Sequence, residues 1–325
     1  MKRVALWAGL LGGLLAFGGV YAQAKNFPSD TIRVTIPFAP GGGTDFLTRT
    51  VIGKMAERTG WTMVVENKPG AAGSIAMNQV SRANPDGHEL VLGQLDTVAI
   101  APVIYKDSIR WDPIKDFQPI GLMATTPLLI VSNAKSQYDT LPKAIDAARQ
   151  KPDSLNYASP GVGSISHLAV ALVEQESGVG MQHVPYKGAG PAMADLLGGR
   201  VDLYAASIAA AMPQIRSGNV RPLAVTGVER SAVLPDTPTV VELGFPSVEI
   251  DLWYGLFAPS GVPQDRIELL HGALNETLRD PEVVKLLAQQ GLNARASDRQ
   301  TLAGLVERDV KRWPGIVQKA GVTNQ

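Results

Sequence analysis

One pattern constrains the fold more than any other: a β-branched strand that runs into three consecutive glycines and then into a helix. Ile32-Arg33-Val34-Thr35-Ile36 has the composition of a short buried strand. Pro37-Phe38-Ala39-Pro40-Gly41-Gly42-Gly43 interrupts regular structure, and Thr44-Asp45 supply a capping residue and a first-turn acid. Leu47, Val51 and Met55 then recur every four positions until Gly60 stops the helix. Glycines let backbone N–H groups gather in one concavity, and the helix start adds unpaired donors with a partial positive charge. Such a place suits anions, carboxylates included. It is neither a Walker loop, for no Gly-Lys-Ser/Thr follows, nor a dinucleotide fingerprint, whose glycine spacing is absent. A tight turn before a capped helix explains the same residues without any ligand.

The device recurs. Leu155-Asn156-Tyr157-Ala158 is strand-like, Ser159-Pro160-Gly161-Val162-Gly163 is the turn, and Ser164 is a good N-cap for a helix reaching Gly178. Between the two copies, Thr62–Glu66 and Glu89–Gly93 read as strands. A second glycine turn, Asn67 to Ser74, opens a helix near Ile75. This alternation predicts a parallel α/β sheet, with ligands beyond the carboxyl ends of its strands, where the turns at Pro40, Gly70 and Asp96 lie. Leu128–Ser132 is expected to cross to a second domain and Tyr254–Ala258 to return. Strands are expected at Met181–Tyr186, Val201–Ala206 and Leu223–Thr226, and a helix opens at Ser207. Helices are expected over Pro263–Leu278, Pro281–Gln290 and Asp298–Arg312, with Pro314 kinking or ending the last.

Composition narrows the class. Residues 1–24 have a basic start, an apolar run and a small-residue cleavage site at Ala22-Gln23-Ala24, the pattern of an export signal. The chain has no cysteine, which removes a lipid-attached cysteine, a disulfide framework and a cysteine nucleophile. Its 30 basic and 30 acidic residues balance, and losing Lys2 and Arg3 leaves the mature chain slightly acidic, which argues against a nucleic-acid partner. No metal-ligand spacing such as His-x-x-x-His occurs, so neither metal nor cofactor is expected. The length suggests two domains, with residues 25–127 and 252–325 forming the first and 128–251 the second.

Six ordered motifs carry a resemblance. They are Pro37-Phe38-Ala39-Pro40-Gly41-Gly42-Gly43-Thr44-Asp45, Glu66 to Gly73, Gly163-Ser164-Ile165-Ser166-His167-Leu168, His183 to Gly188, Asp195 to Asp202, and Trp253 to Pro259. Over residues 27–321 the chain resembles the Bug (TctC-like) periplasmic solute receptors of tripartite tricarboxylate transporters. The resemblance implies a type II periplasmic-binding-protein-like fold, two α/β domains joined by two crossover strands around a cleft. It implies a small carboxylate ligand (a di- or tricarboxylate, an amino acid or an aromatic acid) held by backbone amides, hydroxyls and water. It also implies delivery to the membrane subunits of a transporter from the periplasm, with no catalysis. A messenger role to a sensor kinase ectodomain is the alternative.

On matching positions the ligand-binding residues would be Phe38, Gly42, Gly43, Thr44, Asp45, Ala72, Gly73, Thr97, Ser159, Gly161, Gly163, Ser164 and Ser207. Ala206 stands where many relatives have an acid or amide, leaving that wall less polar. Four or five hydrogen bonds to a charged ligand give roughly 6–15 kcal/mol gross against an association cost of about 4–15 kcal/mol. With apolar contact at Phe38, low-micromolar affinity is reachable without an arginine.

Individual residues carry two readings each. Asp45, Thr44 and Ser164 are natural caps that could also touch a ligand. His167 could satisfy a loop carbonyl or face the cleft, Lys187 could be solvated or guard the cleft mouth, and Trp253 is core packing or a ligand platform. A secreted hydrolase using Ser164 or Ser166 with His167 is a remote alternative, because no Gly-x-Ser-x-Gly elbow exists and no orienting acid is evident.

Overall fold

The computed structural model describes residues 27–70, 73–186 and 188–322. The expected leader, residues 1–24, and Lys187 lie outside them. The chain opens with β1 (Ile32–Ile36), α1 (Gly43–Thr59), β2 (Met63–Asn67), α2 (Ser74–Val80) and β3 (Glu89–Gln94). A π-helical turn (Asp96–Ile100) and α3 (Ala101–Ile104) follow, then the long β4 (Phe117–Asn133). Next come α4 (Leu141–Gln150), β5 (Asn156–Ser159), α5 (Ile165–Ser177), β6 (Gln182–Pro185) and α6 (Ala189–Leu197). The chain continues through β7 (Leu203–Ser207), α7 (Ile208–Arg216), β8 (Val220–Val225) and β9 (Asp251–Pro259). It closes with α8 (Gln264–Leu278), α9 (Pro281–Ala288), β10 (Asn293–Ala294) and α10 (Arg299–Lys319).

Both copies of the strand–turn–helix unit fold as their sequences require. Leu47, Val51 and Met55 are fully buried on one face of α1, and Gly60 ends that helix at φ +73° with its N–H on Ala56 O. Gly178 does the same for α5 at φ +65°. β1 pairs in parallel with β2 and β3, and β5 with β6 and β7.

The sheet is mixed rather than purely parallel. β9 runs antiparallel between β3 and β4, and β7, β8 and β10 also pair antiparallel with β4. The expected crossing segments, Leu128–Ser132 of β4 and Tyr254–Ala258 of β9, lie inside the sheet as paired strands. β4 belongs to two sheets: Phe117–Pro127 pairs with β9, and Leu128–Asn133 pairs with β7 and β8. The hand-over falls at Pro127–Leu128. The return crossing lies earlier than expected, just before Asp251, since Tyr254–Phe257 already pairs with β3.

Thr226 ties the two crossings together. Its hydroxyl accepts from Leu128 N at 2.9 Å and donates to Ile250 O at 2.7 Å, all of it buried. Thr226→Val keeps the shape and strands two buried backbone groups, so we expect a loss of about 1–3 kcal/mol in urea unfolding. An unchanged midpoint would show that these bonds do not hold the crossings.

Trp253 is core, 1% exposed, and its indole N–H donates to Asp309 Oδ2 at 2.7 Å. Arg308 supplies the other partner of that buried carboxylate, at 2.8 Å from Oδ1. Trp253→Phe removes a charge-assisted bond and should cost about 1.5–3 kcal/mol in the same assay; a neutral result would contradict this account.

Pro314 neither ends nor limits α10, which runs on to Lys319. Trp313 and Val317 are both buried, one turn apart on the same face. Packing on either side of the proline therefore outweighs its cost of roughly 3 kcal/mol.

Candidate functional site

A cavity of about 530 Å³ lies where the ends of β1, β3, β5 and β7 face one another across the two crossing strands. Four helices begin at its walls. α1 contributes Gly43 and Thr44; α5 contributes its cap Ser164 with Ile165 and Ser166. α6 contributes its cap Gly188 and Ala189, and α7 its cap Ser207 and Ala209. Thr126, Leu128, Leu252 and Tyr254 of the crossing strands also line it, and Phe38 adds an apolar flank.

Each helix start leaves first-turn N–H groups without an intrahelical acceptor. In α1 the first helical bond is Phe46 N–H to Gly42 O at 3.0 Å, so Gly43, Thr44 and Asp45 precede the ladder. In α5 it is Leu168 N–H to Ser164 O at 3.0 Å, and Ser164 Oγ accepts from His167 N at 3.3 Å. The Ser166 N–H remains, and the Ile165 N–H turns toward the Asp96 carboxyl. Ser207 Oγ accepts from Ala210 N at 3.3 Å in the same way. The walls thus carry partial positive charge from backbone alone. Among the described lining residues there is no lysine, arginine or histidine.

Of the residues expected to bind a ligand, Phe38, Gly43, Thr44, Gly161, Gly163, Ser164 and Ser207 line the cavity. The other expected ligand contacts do not. Gly42 is the cap behind Gly43. Asp45 turns to the protein: Oδ2 accepts from Gly41 N at 3.1 Å, and Oδ1 accepts from Arg49 Nε at 2.9 Å and Asn67 Nδ2 at 3.0 Å. Its partial burial works against ionisation, yet the Gly41, Asn67 and Arg49 bonds hold the carboxyl below its usual range. It staples the glycine turn to β2.

Gly73, at φ +90°, packs behind the wall, where an added Cβ would clash with Thr97 Cγ2. Thr97 is itself fully buried, its Oγ1 accepting from Gln94 N at 3.1 Å and donating to Gln94 O at 3.0 Å. Ser159 is fully buried too, 2.6 Å from His183 Nε2 and 2.9 Å from Gly161 O. Ala206 sits in the second core rather than on a cavity wall. Ala72 lies outside the described residues.

The Gly163 N–H, expected as a ligand donor, is already committed: it donates to His167 Nδ1 at 3.1 Å. His167 is therefore structural, but it serves a loop amide rather than a loop carbonyl. Its ring stacks on His183 at 3.6 Å between centroids and 9° between planes, with Tyr157 beside the pair, 5.1 Å from His183 and 6.1 Å from His167. Burial holds both imidazoles down to about 4, and the neighbouring His183 charge adds to the effect on His167.

Sequence reasoning placed the Asp96 turn at the ligand-binding edge but named neither Gln94 nor Asp96 as a contact. Thr44 Oγ1 donates to Gln94 Oε1 at 3.2 Å, and Gln94 Nε2 donates to Asp96 Oδ2 at 3.3 Å, a relay running along the first wall. Thr97 drew attention instead, although the backbone bonds at Gln94 use its hydroxyl. The signal available was a lone acid just past the carboxyl end of β3.

The comparisons agree with this architecture. The chain is 32% identical to protein BugT of Bordetella pertussis over 314 residues, covering 96% of each chain. A Rhodopseudomonas palustris protein solved with adipate superposes with a TM-score of 0.84 at 30% identity, covering 92% of this chain and all of that one. MatC of the same organism, solved with malate, gives a TM-score of 0.79 at 33% identity over 90% of this chain and 100% of that one. The family model described as tripartite tricarboxylate transporter family receptor (TctC) matches residues 47–322. The chain belongs to that receptor family.

Proposed function

We propose that the chain captures a small carboxylate in this cavity and hands it to the membrane subunits of a tripartite tricarboxylate-type transporter. The lobes would be residues 25–127 with 252–325, and residues 128–251, closing about the Pro127–Leu128 and pre-Asp251 crossings. The observation that carries this reading is the convergence of four helix N-termini on one cavity. Such a wall stabilises an anion without a buried basic side chain, and the volume suits a small organic acid. The adipate and malate held by two relatives support the ligand class. Among the described residues no helix is long and apolar enough to cross a membrane, which accords with a receptor released into the periplasm after loss of residues 1–24.

A hydrolase gains no support from the geometry. Ser164 Oγ donates to Gly161 O at 2.8 Å and accepts from the His167 backbone, so it is not paired with an imidazole. The Ser159–His183 pair that does exist is closed off, Ser159 being fully buried.

Titration calorimetry against adipate, malate, citrate, amino acids and aromatic acids tests the reading, together with mass spectrometry of solute released on denaturing fresh protein. A bound organic acid and low-micromolar affinity for its class are expected. Folded protein that binds no acid in the panel would refute it.

A further inference from the structure

Asp96 is the group at the cavity that a simple anion site leaves unexplained. It begins the π-helical turn after β3 and lines the cavity. Its Oδ2 takes the Gln94 amide, whereas Oδ1 is buried with no hydrogen-bond partner among the described residues. It is the one carboxyl among the described lining residues, in a wall otherwise furnished with backbone donors. The adjacent titratable group, the Tyr254 hydroxyl on β9, is held protonated by burial and by the Asp96 charge. Gln94 is already engaged with both neighbours: its carbonyl accepts from Thr44 and its amide donates to Oδ2.

A cavity that offers positive helix ends and one carboxylate with a spare acceptor is complementary to a molecule of both signs. A plain dicarboxylate of the same size would set like charge against Asp96 or require it to be protonated. An ammonium group would pair with the Asp96 carboxylate and leave the acid ends to the helix starts.

Resting on the receptor reading above, we propose that Asp96 is the specificity-determining residue of the cleft and that the ligand is a carboxylic acid that also carries a protonated amine. The titration of Asp96 makes this testable by pH. Burial, opposed by Gln94 and the Ile165 N–H from the facing lobe, pushes its carboxyl up to about 7. Below that range Asp96 is neutral and attraction for an ammonium fades; above it the attraction is complete.

The experiment is calorimetry on the full mature chain with matched pairs that differ only in the amine. Aspartate is set against succinate, glutamate against glutarate, and 2-aminoadipate against adipate, each at pH 6 and pH 8. The native protein should prefer the aminated member of its best pair by about ten-fold or more at pH 8, with the ratio shrinking at pH 6. Asp96→Asn, of the same size and confirmed folded by its melting curve, should lose that preference and bind the plain acid more tightly than the native protein does. If Asp96→Asn does not fold, Asp96→Ser replaces it, and the native pH profile decides by itself. Equal or tighter binding of the plain acid by the native protein at pH 8 overturns the Asp96 assignment and leaves the receptor standing. Silence toward every acid of both kinds overturns the receptor and the assignment together.

Discussion

Gly43→Val abolishes carboxylate binding while the protein melts within a few degrees of the native chain. Gly43 is the first residue of α1 and lines the cavity, and a Cβ built there meets nothing within 4 Å. Its φ is not among the positive ones, so a branched side chain costs little backbone strain. The isopropyl group instead projects from the wall where, on the proposed reading, a carboxylate would approach the Gly43 and Thr44 N–H groups. Losing two charge-assisted bonds costs roughly 3–6 kcal/mol, or at least a hundred-fold in affinity. Calorimetry with the ligand found by mass spectrometry checks this. Affinity retained within three-fold would place the solute away from α1.

Acid destabilises the second lobe through its histidine stack. His167 and His183 titrate near 4 in the fold, below the ordinary value of about 6.5. The unfolded chain therefore binds more protons over that interval. The stability that the neutral stack supplies is complete above about pH 6.5 and is lost as pH falls toward 4. Between pH 7 and pH 5 the pair should cost about 2–4 kcal/mol, less than two independent groups at the upper end because the second charge opposes the first. The first proton also competes with the Gly163 N–H for His167 Nδ1, so the Gly161–Ser164 turn at the cavity wall loosens along with it. Urea unfolding at pH 7.5 and pH 5 measures the loss, and the His167→Gln/His183→Gln protein should show a much flatter pH profile. A native midpoint that does not move between the two pH values would contradict the buried neutral stack.

The sequence made the two strand–turn–helix units legible because their signals are local. β-Branched strands, a glycine turn, apolar residues at a spacing of four and a stopping glycine all act within about thirty residues. Family motifs then supplied the two-lobed arrangement. What stayed hidden was long-range pairing. Nothing local marks β4 as a strand shared between two sheets, or β9 as an antiparallel neighbour of both β3 and β4. Pro314 misled for the same reason, since the burial of Trp313 and Val317 that carries α10 past it is a tertiary fact.

The site was legible to the extent that it is built from backbone. Phe38, Gly43, Thr44, Gly161, Gly163, Ser164 and Ser207 reach the cavity because their turns and caps place them there. Side-chain roles were harder. Asp45, Thr97 and Ser159 are polar residues next to the cavity whose hydrogen bonds all point into the protein. Asp96 was overlooked because the π-helical turn, rather than a plain strand end, decides which residue after β3 faces the cleft.

The central claim is that helix starts on both lobes hold the acid. A crystal structure of the mature protein with its own co-purified solute tests it most directly. The account predicts carboxylate oxygens within about 3 Å of the Gly43 or Thr44 N–H on one side and the Ile165 or Ser166 N–H on the other. A well-ordered solute bound elsewhere, with neither α1 nor α5 touching it, would contradict the account.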